Sequence, residues 1–273
     1  MTVAEGEVVG FLGPNGAGKS TTIRCLLGLY RPTSGTARIL GADPQDSDRT
    51  LLADVGYLPG ELSLPETLSG GDILHRFGRM RGMTDTSLRD TLVERLDVAI
   101  KPPINTLSKG NKQKIGIVAA FMHRPKLLVL DEPTSGLDPL LQELFAELIK
   151  EATDDGRTVL LSSHDLTEVK RLAKRVVIIR DGQIVVDDTV AAMEARAPGV
   201  IELDLDHAFD VTALASVPGV TVKSVTDRHV SLVHSGSVAA ALTAIAAMEP
   251  TAIAARPAEL DELFLQLYRG EGV

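Results

Sequence analysis

An α/β fold built on a parallel sheet is predicted by three features of the sequence. Residues 7–12, 126–131 and 158–163 are short apolar runs of the kind that form strands covered on both faces. Segments with helical spacing of apolar residues separate them, the alternation that gives a parallel sheet. Each run ends in residues able to do chemistry at the C-terminal edge of such a sheet: a glycine-rich loop at 13–20, two acids at 131–132, and His164.

Composition is consistent with a folded chain. Of 273 residues, 44% are hydrophobic and 24% charged, so a buried core is expected. Aromatics make up only 3% and Trp is absent, so that core must be built from Leu, Val, Ile and Ala. A formal net charge of -9 disfavours a broad basic face, and no nucleic-acid partner is expected. Cys25 is the one cysteine, which excludes an intrachain disulfide and suits a reducing compartment; in its helix it reads as a small core residue. The first residues lack the basic and apolar regions of a signal peptide. No run approaches the roughly 18–20 apolar residues of a membrane span. Any membrane-spanning part is therefore expected on another chain.

The first run, at 7–12, leads directly into Gly13-Pro14-Asn15-Gly16-Ala17-Gly18-Lys19-Ser20, the pattern G-x-x-x-x-G-K-[ST]. Ile23, Leu26, Leu27 and Tyr30 then recur at i, i+3, i+4 and i+7, so a helix opens at the loop. Glycines let the backbone curl until several N–H groups face one anion, and the helix N-terminus adds positive potential there. Lys19 is expected to reach the β- and γ-phosphates of a nucleotide, and Ser20 to ligate Mg²⁺. Gly13, Asn15, Gly16, Gly18, Lys19, Ser20 and Thr21 are the candidate nucleotide-binding residues.

The second run ends at Asp131-Glu132-Pro133. Beside the phosphate loop, Asp131 is placed to hold Mg²⁺, and Glu132 to polarise an attacking water. The third run ends at His164, on the same sheet edge. Leu166, Val169, Leu172 and Ala173 mark a helix, and residues 176–186 read as a hairpin around Asp181-Gly182.

These segments, GPNGAGKST (13–21), LSKGNKQK (107–114), LLVLDEPTSGLD (127–138) and LLSSH (160–164), stand in the order found in the nucleotide-binding subunits of ABC transporters, which residues 1–190 resemble. The resemblance implies the ABC nucleotide-binding fold, a phosphate-loop NTPase with an inserted helical subdomain at about 62–122, and ATP hydrolysis. Ser108, Lys109 and Gly110 resemble the signature segment that binds the γ-phosphate held by a partner subunit. The segment from Ser135 to Asp138 resembles the loop that communicates across that dimer. Glu132 would be the general base and His164 the γ-phosphate contact. The expected cofactors are ATP and Mg²⁺. The expected partners are a second ATPase subunit, identical or not, and a separate permease, which would hold the chain at the cytoplasmic face of the membrane. The permease would dock on exposed apolar residues of the helical subdomain.

Leu68-Ser69-Gly70-Gly71-Asp72 is superficially closer to the family's common signature than residues 107–111 are. Its position excludes it, being too near the phosphate loop and too far from the 127–133 strand. Ser69 instead reads as the start of a helix marked by Ile73, Leu74, Phe77 and Met80. Two departures from the family stand out. Members usually carry, some tens of residues before the phosphate loop, strands with an aromatic that stacks on adenine. Here the loop starts at Gly13, and the expectation is a late recorded start, the alternative being a nucleotide held mainly by its phosphates. Gly60 also stands where the family usually has a Gln that contacts Mg²⁺ and water, and Glu61 either substitutes for that Gln or is a solvated loop acid.

From residue 198 to 273 the pattern changes to a small α+β appendage. Ile201, Leu203 and Leu205 alternate as a strand, residues 210–216 read as helix, 220–225 and 230–233 as extended. Residues 238–248 form an Ala-rich helix, and Leu260, Leu263, Phe264 and Leu267 mark a last one. In layout the appendage resembles the C-terminal domain of daunorubicin-resistance-type export ATPases, which tilts the expectation to export of a drug, antibiotic or other hydrophobic compound. A soluble ABC ATPase and a catalytically impaired cassette remain as alternatives.

Overall fold

The computed structural model describes residues 1–45, 49–196, 198–207, 210–235 and 238–257. The expected last helix, with Leu260, Leu263, Phe264 and Leu267, lies outside the described residues. The chain divides into two units, Met1–Thr189 and Val190–Val273.

In the first unit, β1 (Val8–Leu12) leads through the glycine-rich loop to α1 (Lys19–Leu26). A 3-10 turn (Arg49–Asp54) precedes β2 (Val55–Leu58). Helices α2 (Gly70–Met80), α3 (Ser87–Arg95) and α4 (Lys109–Phe121) follow. The unit continues with β3 (Leu127–Asp131), α5 (Pro139–Asp154), β4 (Thr158–Ser163), α6 (Leu166–Leu172), β5 (Arg175–Arg180) and β6 (Gln183–Thr189).

Among the described residues the sheet has the order β2-β3-β4-β1-β5-β6. The first five are parallel, and β6 returns antiparallel beside β5. The apolar runs fill both faces, and every residue of β1 and β4 is buried. The return at β6 is made by a two-residue turn, Asp181-Gly182, with φ of 49° and 77°, the left-handed pair that matches strand twist. Because the sheet is parallel, Gly13, Glu132 and His164 all leave their strands at one edge. The register sets Leu12 opposite Ser163 and Asp131 opposite Ser162.

Four helices, α2, α4, α5 and α6, start at a side-chain cap that the sequence supplies. Ser69 and Asp72 form a reciprocal capping box at α2, with Asp72 N donating to Ser69 Oγ at 3.1 Å and Ser69 N donating to Asp72 Oδ2 at 3.2 Å. The Leu68–Asp72 segment is thus a helix start. Asp138 caps α5, accepting from Leu141 N at 3.0 Å, with Pro139 in the first helical position. Helix α4 joins the helices between β2 and β3 to the sheet, packing on β2, α2 and α3. Its Ile115, Val118 and Phe121 are buried, and Phe121 meets Phe145 of α5 edge-to-face at 6.3 Å. Helix α6 lies directly on β1: a Cβ on Gly10 would stand 2.0 Å from Val169 Cγ1, so only glycine lets the helix come this close.

The second unit opens with α7 (Val190–Arg196), then β7 (Gly199–Asp204), α8 (Thr212–Ala215), β8 (Val220–Val225), β9 (His229–His234), α9 (Val238–Ala246) and β10 (Ala252–Pro257). The sheet is antiparallel, in the order β10-β7-β9-β8. From β7 onward this is the β-α-β-β-α-β arrangement of the ferredoxin-like fold. Its core is Ile201, Leu203, Leu214, Val230, Leu232 and Ile245, with their neighbours. Strand β10 was not expected from the sequence. Its Ala-Ile-Ala-Ala run has little strand propensity, and it is placed by pairing with β7 along the edge.

Candidate nucleotide site

The edge where β1, β2, β3 and β4 end holds a cleft of about 440 Å³, lined by residues that include Asn15, Ser20, Asp131, Glu132 and His164. Strand pairing positions Asp131, which is 4% exposed, and Ser162 on the neighbouring strand donates its hydroxyl proton to Asp131 Oδ1. The chain then turns sharply. Glu132 has φ of 49°, a left-handed conformation that a non-glycine residue adopts at a cost of about 1–3 kcal/mol. Its N–H is held by the Ser162 carbonyl at 3.1 Å, and that anchoring swings the side chain toward β1.

There the carboxylate meets two groups. Lys19 Nζ lies 3.5 Å from Glu132 Oε1, and His164 Nδ1 lies 2.7 Å from Glu132 Oε2. Lys19 is buried at 6% exposure, and its ammonium also donates to the Gly13 carbonyl and, at 3.4 Å, to that of Pro14. The loop above it curls through Gly16 and Gly18, with φ of 84° and 108°. It rests on the β5–β6 turn, where Gly182 N donates to the Ala17 carbonyl at 3.0 Å. A buried cation at a helix N-terminus, under a loop of glycines, with two acids across the cleft, fits the phosphates of a nucleotide.

Of the expected residues, the fold thus brings together Gly13, Asn15, Lys19, Ser20, Asp131, Glu132 and His164. Thr21 is exposed on the first turn of α1. Ser108 is exposed as the N-cap of α4, accepting from Asn111 N at 3.2 Å. Gly110 lies against the Gly136 carbonyl, 3.2 Å from where its Cβ would be. Asp138 is the cap of α5. From these two segments Lys109 and Ser135 line the cleft instead, with Lys109 Nζ 3.4 Å from Ser135 Oγ. Gly60 and Glu61 form part of the rim, and a Cβ at Gly60 would stand 3.5 Å from Asp131 Oδ2. Arg24 and Tyr57 also line it, and neither was singled out from the sequence. Burial raises the Tyr57 phenol pKa, with Asp131 adding to the rise and Arg24 opposing it. Arg24 lies four residues after Ser20, one helical turn on, and that spacing is the signal that could have found it.

Fold and site together define a phosphate-loop nucleoside triphosphatase. The family model for ABC transporters matches residues 1–135. A daunorubicin/doxorubicin resistance ATP-binding protein of Streptomyces peucetius is 32% identical over 98% of this chain and 86% of its own length. An uncharacterized ABC transporter ATP-binding protein of Bacillus subtilis is 40% identical over 67% of this chain, which spans 61% of that relative. A solved ATP-binding subunit of an ABC transporter superposes with a TM-score of 0.66 at 31% identity, covering 71% of this chain and 83% of that one. The chain belongs to the ATP-binding proteins of ABC transporters, a family of ATPases.

Proposed function

We propose that this chain powers export of a drug, antibiotic or other hydrophobic compound, as the ATP-hydrolysing subunit beneath a separate permease at the cytoplasmic face of the membrane. The observation that carries the catalytic part is the Glu132 carboxylate, set between buried Lys19 and His164 and beside Asp131. ATP is the substrate. Lys19 and the loop amides bind its phosphates. Water attacks the γ-phosphorus, the bond to the bridging oxygen of ADP breaks, and Glu132 accepts the proton of the attacking water. His164, hydrogen-bonded to Glu132, faces the same terminal phosphate. Ser20 and Asp131 are an oxygen-donor pair suited to Mg²⁺, which when bound supplies neutralising charge to the phosphates. A second ATPase subunit completes the site in this reading: Ser108, exposed at the N-terminus of α4, would meet the nucleotide held by the partner.

Two features support the membrane role. Among the described residues no helix is long and apolar enough to cross a bilayer, as this reading of a subunit beneath a separate permease requires. On the first unit, a groove of about 600 Å³ runs between the sheet edge and α2, lined by Tyr57, Leu62, Leu64, Phe77, Met80 and Ile115. Met80 is 82% exposed there, an unusual position for a large apolar side chain and one suited to a partner helix. The export direction is supported by the whole-chain similarity to the daunorubicin/doxorubicin resistance protein.

The test is Glu132→Gln examined by light scattering with ATP and with ADP. A dimer with ATP alone supports the shared-site mechanism. A monomer under both conditions overturns it. Co-purification with a membrane protein then separates a transport role from a soluble one.

A further inference from the structure

Glu168 lies on the first turn of α6, turned inward, and nothing in the hydrolytic reading above uses it. Its two carboxylate oxygens are both engaged. Oε1 accepts from Thr134 Oγ1 at 2.6 Å, and Oε2 accepts from Ser163 Oγ at 2.6 Å. Both hydroxyl residues are buried, Thr134 at 9% exposure and Ser163 at 0%. Thr134 is two residues after Glu132, and Ser163 immediately precedes His164. One carboxylate therefore spans the two segments that carry the base and its histidine.

This arrangement is not needed to start the helix. Asp165 already caps α6, with Oδ1 accepting from Thr167 N at 2.8 Å. Nor is it a favourable place for an acid. Burial raises the Glu168 pKa, the nearby charges of Glu132 and Asp165 push the same way, and only the two hydroxyls oppose. The Ser163 hydroxyl accepts from Asp165 N at 3.0 Å, so its single proton is free for Glu168 alone. The close approach of Val169 to Gly10 presses this turn of α6 onto β1 and fixes where Glu168 sits.

We propose that Glu168 is a positioning residue for ATP hydrolysis: by bonding Thr134 and Ser163 at once, it holds the Glu132 turn and His164 in one fixed relation. The inference rests on the reading of Glu132 and His164 given above. It acts on the chemical step and leaves the phosphate loop alone, so its loss lowers kcat and spares KM. A displacement of the base of this kind costs about tenfold or more in rate.

The experiment measures kcat and KM for ATP in the full chain for Thr134→Val, Glu168→Gln, Glu168→Ala and the double variant Thr134→Val/Glu168→Ala, with Glu132→Gln as control. Glu168→Ala should lower kcat about tenfold with KM within about twofold of wild type. Glu168→Gln, which keeps an acceptor oxygen, should recover most of the rate. Thr134→Val should lower kcat by a smaller factor, and the double variant should be no slower than Glu168→Ala, because both remove the same bond. If Glu168→Ala does not fold, the near-isosteric Thr134→Val and Glu168→Gln decide the matter, and a wild-type kcat in Thr134→Val overturns the proposal. So do losses that multiply in the double variant, or a change confined to KM. If Glu132→Gln itself hydrolyses ATP at the wild-type rate, the reading of the site fails. If that control is inactive while the Glu168 and Thr134 variants turn over normally, the site reading stands and only this inference falls.

Discussion

The Glu132 carboxylate lies 3.5 Å from Lys19 Nζ, so the site's own acid stands beside the ammonium that the phosphates would engage. An internal anion thus competes with the phosphates of ATP for Lys19. Glu132→Gln removes that anion as well as the base. Hydrolysis should fall by about 10²–10⁴-fold, the usual contribution of a general base. Nucleotide affinity of the monomer should rise by about two- to fivefold, the modest effect expected for a pair whose acid is partly solvated. Titration with ADP isolates this second effect, because no hydrolysis follows. Unchanged or weaker ADP binding would mean that Glu132 does not compete for Lys19.

Gly60 leaves open the space beside Asp131 where the family's Gln would stand, and Glu61 is exposed on the rim of the same cleft. If Glu61 replaces that Gln, Glu61→Ala should raise the Mg²⁺ concentration for half-maximal ATPase by about three- to tenfold and lower the rate at subsaturating Mg²⁺. An ATPase rate and a Mg²⁺ curve that both match wild type would return Glu61 to the status of a solvated loop acid. Gly60→Gln provides the complementary arm: it should make Glu61 dispensable.

What could be read from the sequence divides along a physical line. The grouping of Lys19, Asp131, Glu132 and His164 was legible because each lies at the end of a strand or in the segment that directly follows it, and strand ends in a parallel sheet share one edge. The start of α2 at Ser69 was legible because a capping box is local, resting on residues three apart. The Glu168 bridge was not. An acid in the first turn of a helix reads as a partner for the helix dipole, and only the pairing of β3 with β4 brings Thr134 and Ser163 to it across 34 and 5 residues. Strand β10 escaped for a related reason, since alanines take strand form there through the β7 edge rather than by their own preference. Local chemistry was visible in the sequence, and long-range coupling was not.

His123 is half-buried beside Arg81, a residue that lines the apolar groove of the first unit. Its Nε2 accepts from Arg81 Nη1 at 2.8 Å, and that guanidinium also donates to the Val55 carbonyl at 2.8 Å. Burial lowers the His123 pKa to about 4, with the Arg81 charge adding to the drop. The folded pKa lies below the ordinary 6.5, so the unfolded chain binds the extra proton between those values. Stability from this group is therefore full above about pH 6.5, falls as pH drops toward 4, and stops falling below that. With a discount for partial solvent access the loss amounts to roughly 2 kcal/mol. Urea unfolding at pH 7 and pH 4.5 should show this difference in wild type and a smaller one in His123→Asn. An equal pH difference in both proteins would rule out His123 as the source.

Gly10 and Val169 give the most direct test of how α6 is set. A Cβ at position 10 would stand 2.0 Å from Val169 Cγ1 and 3.2 Å from its Cβ, and Val169 is fully buried, so the side chain cannot swing clear. Gly10→Ala must therefore push α6 off β1, at a cost of about 1–3 kcal/mol from overpacking. Val169→Ala would leave a cavity and cost about as much alone. Combined, the two changes exchange volume across one contact, so the double variant should be more stable than the sum of the single losses by about 1 kcal/mol or more. Thermal or urea unfolding of the four proteins gives that coupling, and strictly additive losses would mean that the contact does not determine the position of the helix. Because α6 carries Glu168, Gly10→Ala should also lower kcat in the folded fraction, and the Val169→Ala partner should restore part of it.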